Sequence, residues 1–303
     1  MNFKKYTTWG LAINLLLITS TSVAQTYKSS SWSTNFYLGG SNLLGDLGGS
    51  RFIGNRGVFD YNIRANRMAL GTGLTMNTGA FSVGLNVLGT RLVSNDAYSR
   101  QNFQVARNLN VRTNLVEVSI LGEIRPFSRS AGFNRFYVYS GIGGIYFKPM
   151  SKLNDEWYDL RQVGTEGQYL ENGPGPYSEI DIVIPYGIGY KFRLAKSTSL
   201  LLDLGFRKTF TDYLDDVSTV YADPAQLNAA QPNIPVSQLA DKSEVPNAIG
   251  YERGNPKNDD QYFIIGLKFE YILGGKSGDG CYYNRNPPKT RSTRINQRKM
   301  FTR

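Results

Sequence analysis

Glu179–Arg193 reads EIDIVIPYGIGYKFR, and its alternation decides the fold. Ile180, Ile182, Ile184, Tyr186, Ile188, Tyr190 and Phe192 form one set. Asp181, Val183, Pro185, Gly187, Gly189, Lys191 and Arg193 form the other. A period of two belongs to an extended strand, whose side chains point alternately to opposite faces. The segment also exceeds the 9–11 residues or so that a tilted strand needs to cross a bilayer.

The same pattern recurs on both sides of it. Leu200, Leu202, Leu204 and Phe206 alternate with Asp203, Gly205 and Arg207. Phe263, Ile265, Leu267, Phe269 and Tyr271 alternate with Gly266, Lys268 and Glu270. Earlier strands are predicted at Ser33–Leu44, Arg67–Met76, Ala80–Val93, Asn114–Arg125 and Phe136–Phe147. The linkers between these strands alternate in length. Asn77–Gly79, Pro126–Arg135 and Leu194–Thr198 are short, whereas Gly45–Asn66, Ser94–Thr113, Lys148–Glu179 and Thr211–Asp260 are long. Short periplasmic turns and long external loops are the asymmetry of outer-membrane barrels. The expected fold is all-β: an eight-stranded antiparallel up-and-down transmembrane β-barrel spanning 25–273, with both termini in the periplasm.

Composition narrows the chemistry. The chain has 303 residues, a formal charge of +10, one cysteine and no histidine. Without histidine there is no Ser–His–Asp triad, no His general base and no His-ligated metal. A single cysteine removes intramolecular disulfides and Cys-based clusters. The expectation is a non-enzyme without a cofactor. A small-barrel acyl hydrolase or protease would have to rely on a carboxylate or a Ser–Lys pair, and no such constellation stands out.

Residues 1–24 read as an export signal. Lys4 and Lys5 precede the mostly apolar Trp9–Ser20, and Ser22-Val23-Ala24 has the small-x-small form of a cleavage site. The apolar run is short and broken by Gly10 and Asn14, so it does not read as a membrane-spanning helix.

Alternation alone leaves the inner face undecided, since a soluble lipocalin-like barrel would turn its apolar face inward. The aliphatic face is continuous along whole strands, and Tyr and Phe gather towards strand ends as in an aromatic girdle. The opposite face carries glycine and the charges Glu117, Glu123, Lys191, Arg193, Asp203, Arg207, Lys268 and Glu270. Their signs nearly balance, as pairing in a narrow lumen requires. Outer-membrane lipid is therefore the expected surrounding. Eight strands enclose little more than their own side chains. With Tyr137 and Tyr139 also facing inward, no diffusion channel is expected.

Several stretches are more specific than barrel patterning. They are FYLGGSNLLGDLGG (Phe36–Gly49), Arg125-Pro126-Phe127, FYVYSGIGGIYFKP (Phe136–Pro149), Gly164-Thr165-Glu166-Gly167-Gln168, IPYGIGYK (Ile184–Lys191) and GFRKTFTDYLDDVSTVYADP (Gly205–Pro224). Together they resemble the PorG-like outer-membrane proteins of the type IX secretion system, from about Phe36 to Leu273. The resemblance implies a non-enzymatic secretion component associated with a periplasmic ring of PorK- and PorN-like subunits. The alternative is a generic structural or adhesin-like barrel presenting its long loops.

Two loop features are ambiguous in sequence. Asp212, Asp215, Asp216 and Asp223 cluster as ligands of a hard cation would, but not at EF-hand spacing. A capped, hydrogen-bonded turn is the simpler reading. Pro224–Pro246, with its Ala, Gln, Asn and several Pro, reads as a flexible external loop.

Residues 274–303 form a basic periplasmic tail. Lys276, Arg285, Lys289, Arg291, Arg294, Arg298, Lys299 and Arg303 stand against Asp279 alone. Such a segment is expected to be disordered by itself and either to fold onto an acidic surface of a periplasmic partner such as the ring or to remain a solvated tail that aids solubility. Nucleic acid is not expected in that compartment. Cys281 reads either as the site of an intermolecular disulfide or as a free thiol.

Overall fold

The computed structural model describes residues 30–48, 63–99, 101–126 and 135–274. The signal segment, Cys281 and the basic residues of the tail lie outside the described residues. Eight strands close on themselves: β1 (Ser31–Leu44), β2 (Arg67–Thr78), β3 (Phe81–Asn95), β4 (Asn110–Ile124), β5 (Phe136–Leu153), β7 (Ile180–Arg193), β8 (Thr198–Thr209) and β9 (Gln261–Gly274). Each pairs antiparallel with its neighbour, β9 returns to β1, and β4 pairs with β5, so the sheet has no free edge within the barrel. The ninth strand, β6 (Glu156–Asp159), pairs only with the far end of β5 and stands outside the cylinder.

All long connections leave one end of the barrel and all short ones the other. At the short-turn end Trp32 pairs with Gly274, so β1 begins where β9 finishes. The β2–β3 turn is two residues long, between the paired Thr78 and Phe81. Gly79 takes φ 70° there, the left-handed backbone that matches such a turn to the strand twist. Pro185 sits inside β7 without an N–H to donate, and the β5–β7 ladder is interrupted at Ile184–Pro185.

The apolar sets of the sequence point outward. Leu85, Ile120, Ile142, Ile182, Ile188, Leu202, Ile265 and Leu267 are exposed on the wall, a continuous aliphatic belt. Trp32, Phe81, Phe192, Phe269 and Tyr271 are exposed near the short-turn ends, and Tyr146 and Phe210 near the long-loop ends. No helix among the described residues is long and apolar enough to cross a membrane.

The described parts of the second, third and fourth long loops are folded, including the segment whose composition suggested flexibility. They carry β6 and the short helices α1 (Asn102–Arg107), α2 (Leu160–Val163), α3 (Pro224–Ala230) and α4 (Val236–Ala240). Pro224–Pro246 therefore is not the structureless loop that its composition suggested. Leu227, Val236, Leu239 and Ala240 bury themselves against Val163, with Leu153, Tyr158 and Ile234 packed around them. Composition missed this because the few apolar residues come together only once α3 and α4 fold over β5. Asp223 caps α3, accepting from Ala225 N at 2.8 Å, and Pro224 occupies the first turn, where its missing N–H costs nothing.

Candidate functional site

The lumen is filled from end to end. At the short-turn end Lys191 pairs with Glu270, which also accepts from Ser33 Oγ at 2.9 Å. Further up, Lys268 lies 3.4 Å from Glu123 and 3.7 Å from Asp203. The Asp203 carboxylate accepts from the hydroxyls of Tyr137 (2.7 Å) and Tyr139 (2.8 Å). Above it Glu117 accepts from Arg207 Nε at 3.1 Å, Tyr262 Oη at 2.8 Å and Ser119 Oγ at 2.8 Å. Buried charges persist when paired and hydrogen-bonded, and this ladder provides both. Arg193 lies on the same strand face but at the rim. Its guanidinium donates to the carbonyls of Ala195 (3.1 Å) and Lys196 (2.7 Å), holding the β7–β8 turn.

Glycine makes this filling fit. A Cβ on Gly189 would overlap the phenol end of Tyr137, and one on Gly187 that of Tyr139. The two rings lie across the bare backbone of β7, which is why the inner face of that strand is small where its outer face is bulky. The space left beside Asp203, Arg207 and Lys268 is a cavity of about 30 Å³, room for about a water molecule.

The long-loop end is closed by a cap built on two buried arginines that pattern reading did not single out. Arg107, on α1, forms a two-pronged pair with Asp96 (Nε 2.7 Å, Nη2 2.9 Å) and donates to the carbonyls of Arg253 and Asp46. Arg253, on the last long loop, donates to Glu166 at 2.9 Å, to the Asp216 carbonyl, and to the Ala240 carbonyl at 3.1 Å. One guanidinium thus joins the third and fourth long loops, and the other joins the first, second and fourth.

The distinctive motifs supply the acceptors. Glu166, of Gly164–Gln168, takes the backbone N–H of Ser218 and Thr219 and the Thr219 hydroxyl. Asp215 takes the N–H of Asp46 and Leu47 from the FYLGGSNLLGDLGG stretch. Asp216 accepts from Thr165 Oγ1 (2.6 Å) and Tyr177 Oη (2.7 Å). Asp260 accepts from the N–H of Leu214 and Asp215. Beneath these, Leu43, Leu47, Leu92, Leu115, Phe147, Leu214 and Ile264 form one apolar cluster that runs from the upper barrel into the cap.

Packing so many carboxyls together shifts their ionisation. Burial and Asp215 push the Asp212 carboxyl up to about 9. Burial and Asp46 push Asp215 up to about 8. Asp216 is raised by burial to about 6 although Arg253 opposes the shift. Among the described residues no group of three acidic, His or Cys side chains is placed to hold a metal ion. Asp215 binds backbone N–H groups, Asp216 binds hydroxyls and Asp223 caps a helix, while the buried Asp212 oxygens have no hydrogen-bond donor among the described residues.

Residues 12–229 match a family described as "Domain of unknown function (DUF6089)". No curated protein matches the chain. Among solved structures, the attachment invasion locus protein Ail of Yersinia pestis, in complex with the heparin analogue sucrose octasulfate, is similar at 10% identity and TM-score 0.36. That match covers 81% of this chain and 99% of the other. Neisserial surface protein A is similar at 6% identity and TM-score 0.31, covering 80% and 96%. A major outer membrane protein of Thermus thermophilus is similar at 12% identity and TM-score 0.34, covering 80% and 99%.

Proposed function

We propose that this chain, which belongs to the DUF6089 family, is a non-enzymatic outer-membrane component of the type IX protein secretion system, a PorG-like anchor for the periplasmic ring. The short-turn end faces the periplasm, and the barrel holds the cap outside. The basic segment after β9 reaches PorK- and PorN-like ring subunits through Arg285, Lys289, Arg291, Arg294, Arg298, Lys299 and Arg303.

The observation that supports an anchor is the filled lumen. A barrel whose interior is an ion-pair ladder and whose mouth is an interlocked cap offers no conduit. Its use must lie at its two ends. The aliphatic belt supports insertion in a bilayer. The decisive experiment is purification of the native complex from membranes with identification of its partners. Ring subunits should co-purify, and deleting 287–303 should leave the barrel inserted but weaken the association in a salt-sensitive way. Unchanged co-purification after that deletion would remove the tail from the reading. Absence of ring subunits from the wild-type complex would overturn the secretion role.

A second reading, an adhesin-like barrel, is favoured by the apolar side chains on the cap. Val245, Ile249 and Tyr251 of the last long loop are largely exposed. Cells lacking the protein would then lose surface binding while keeping secretion.

A further inference from the structure

On one side of the barrel the outer wall changes from aliphatic to cationic at a common height. Along β3 the outward series runs Leu85, Val87, Gly89, Arg91; along β4, Ile120, Val118, Val116, Asn114, Arg112; along β5, Ile142, Gly144, Tyr146, Lys148. The register carries the change across the sheet. Arg91 pairs with Asn114, and Asn114 with Lys148. One step further out, Arg112 pairs with Met150, and Lys152 with Trp157 of β6.

Arg91, Arg112, Lys152 and Trp157 line a groove of about 450 Å³ that also takes in Arg67. Its charge is not neutralised locally. Asp155 is the carboxylate lining the groove, and it is already paired with Lys152 at 2.6 Å. Lys148 is paired with Asp159 just outside. Among the described residues no carboxylate pairs with Arg67, Arg91 or Arg112. Arg91 Nε donates to Asn114 Oδ1 at 3.0 Å, and among the described residues no acceptor is placed at its terminal nitrogens. Arg112 lies 3.5 Å above the Trp157 ring, which fixes its plane; its Nη2 makes a long contact to Met150 Sδ at 3.8 Å and its buried Nε has no acceptor among the described residues. Lys208, outward on the opposite wall, is by contrast matched by Asp259 at 2.5 Å.

We propose that this groove binds the phosphorylated headgroup of a glycolipid in the membrane leaflet facing the cap. Rigid guanidinium forks suit phosphate oxygens. Asn154 in the lining offers its amide to sugar hydroxyls, and Asn110, whose Oδ1 is held by Ser151 and Lys152, offers its amide nitrogen. Val87, Val116 and Tyr146 directly below give acyl chains an apolar wall. A soluble phosphate would use only the first of these three features. The site rests on the outer-membrane reading above.

The test uses the full chain inserted in bilayers of phosphatidylethanolamine containing a few per cent of bisphosphorylated lipid A, with retained lipid counted by native mass spectrometry. Parallel samples carry dephosphorylated lipid A, phosphatidylglycerol or inorganic phosphate. The wild type should retain bisphosphorylated lipid A roughly tenfold or more over the dephosphorylated form, and Arg91→Gln with Arg112→Gln should abolish that preference. Heat-modifiable migration on a gel verifies that the variant barrel is folded. Equal retention of both lipid A forms, or unchanged retention by the folded double variant, would overturn the site. Equal retention of phosphatidylglycerol, or displacement by inorganic phosphate, would overturn the glycolipid assignment. A chain that never enters the bilayer would overturn the outer-membrane reading itself, whereas one that inserts and retains no lipid would overturn the groove alone.

Discussion

Arg253 and Glu166 meet at 2.9 Å across two different long loops, and both side chains are almost completely buried. The pair lies above the barrel and makes the cap a folded unit. Removing one partner of such a pair leaves an uncompensated buried charge, at a cost of about 3–5 kcal/mol. Arg253→Leu should therefore open the cap while the strands stay paired. Limited proteolysis of folded protein should show new cleavage within 148–179 and 211–260, with unchanged heat-modifiable migration. A variant as resistant as the wild type would show that the apolar cluster alone holds the cap.

The cap should loosen as pH rises. Asp212 and Asp215 ionise in the folded cap only at about 9 and about 8, against about 3.9 for an unperturbed aspartate. The folded state thus prefers their protonated forms. Their favourable contribution is complete below the unfolded value and is lost as pH climbs through the folded ones. Hydrogen exchange at the amides of Leu214 and Val217 should accelerate between about pH 4 and 9 beyond its intrinsic base dependence and follow that dependence alone above it. Asp212→Asn should flatten that excess.

Leu202 faces outward from the middle of β8. Leu202→Arg should cost about 2–4 kcal/mol if that position lies near the bilayer midplane. Unfolding titrations in lipid vesicles measure it directly. Equal stability of variant and wild type would mean that the belt does not face acyl chains.

Gly189→Val should prevent closure, because the added side chain would occupy the place of the Tyr137 ring against β7. The companion change Tyr137→Ala should partly restore folding by vacating that space. Refolding yield into detergent, followed by gel migration, separates the two outcomes.

A filled lumen should also be electrically silent. Planar bilayers containing the folded protein should show no sustained single-channel conductance, and Arg253→Leu should not create one, since the ladder from Glu117 to Lys191 lies below the cap. Steady conductance in the wild type would contradict a packed lumen.

Strand number, direction and facing were readable because they depend on a local rule. A period of two writes both faces of a strand into consecutive letters, as Ile180–Arg193 does, and loop lengths then sort the two ends. The cap was not readable in that way. Arg107 and Arg253 look like any loop arginine, and the partners of Arg253 lie far away in the chain, at Glu166 and Asp216. Asp215 and Asp216 were visible as a cluster, but not the backbone N–H groups that Asp215 holds or the hydroxyls that Asp216 holds.

What the sequence determined by itself was the barrel and its greasy exterior, because alternation is a property of neighbouring residues. Only the tertiary structure decided which charges pair across the lumen, that the loops interlock, and that Arg91 and Arg112 share a groove with Trp157. Those relationships join strands and loops distant in the chain, and a distance across a closed sheet is set by register and curvature rather than by any repeating pattern of letters.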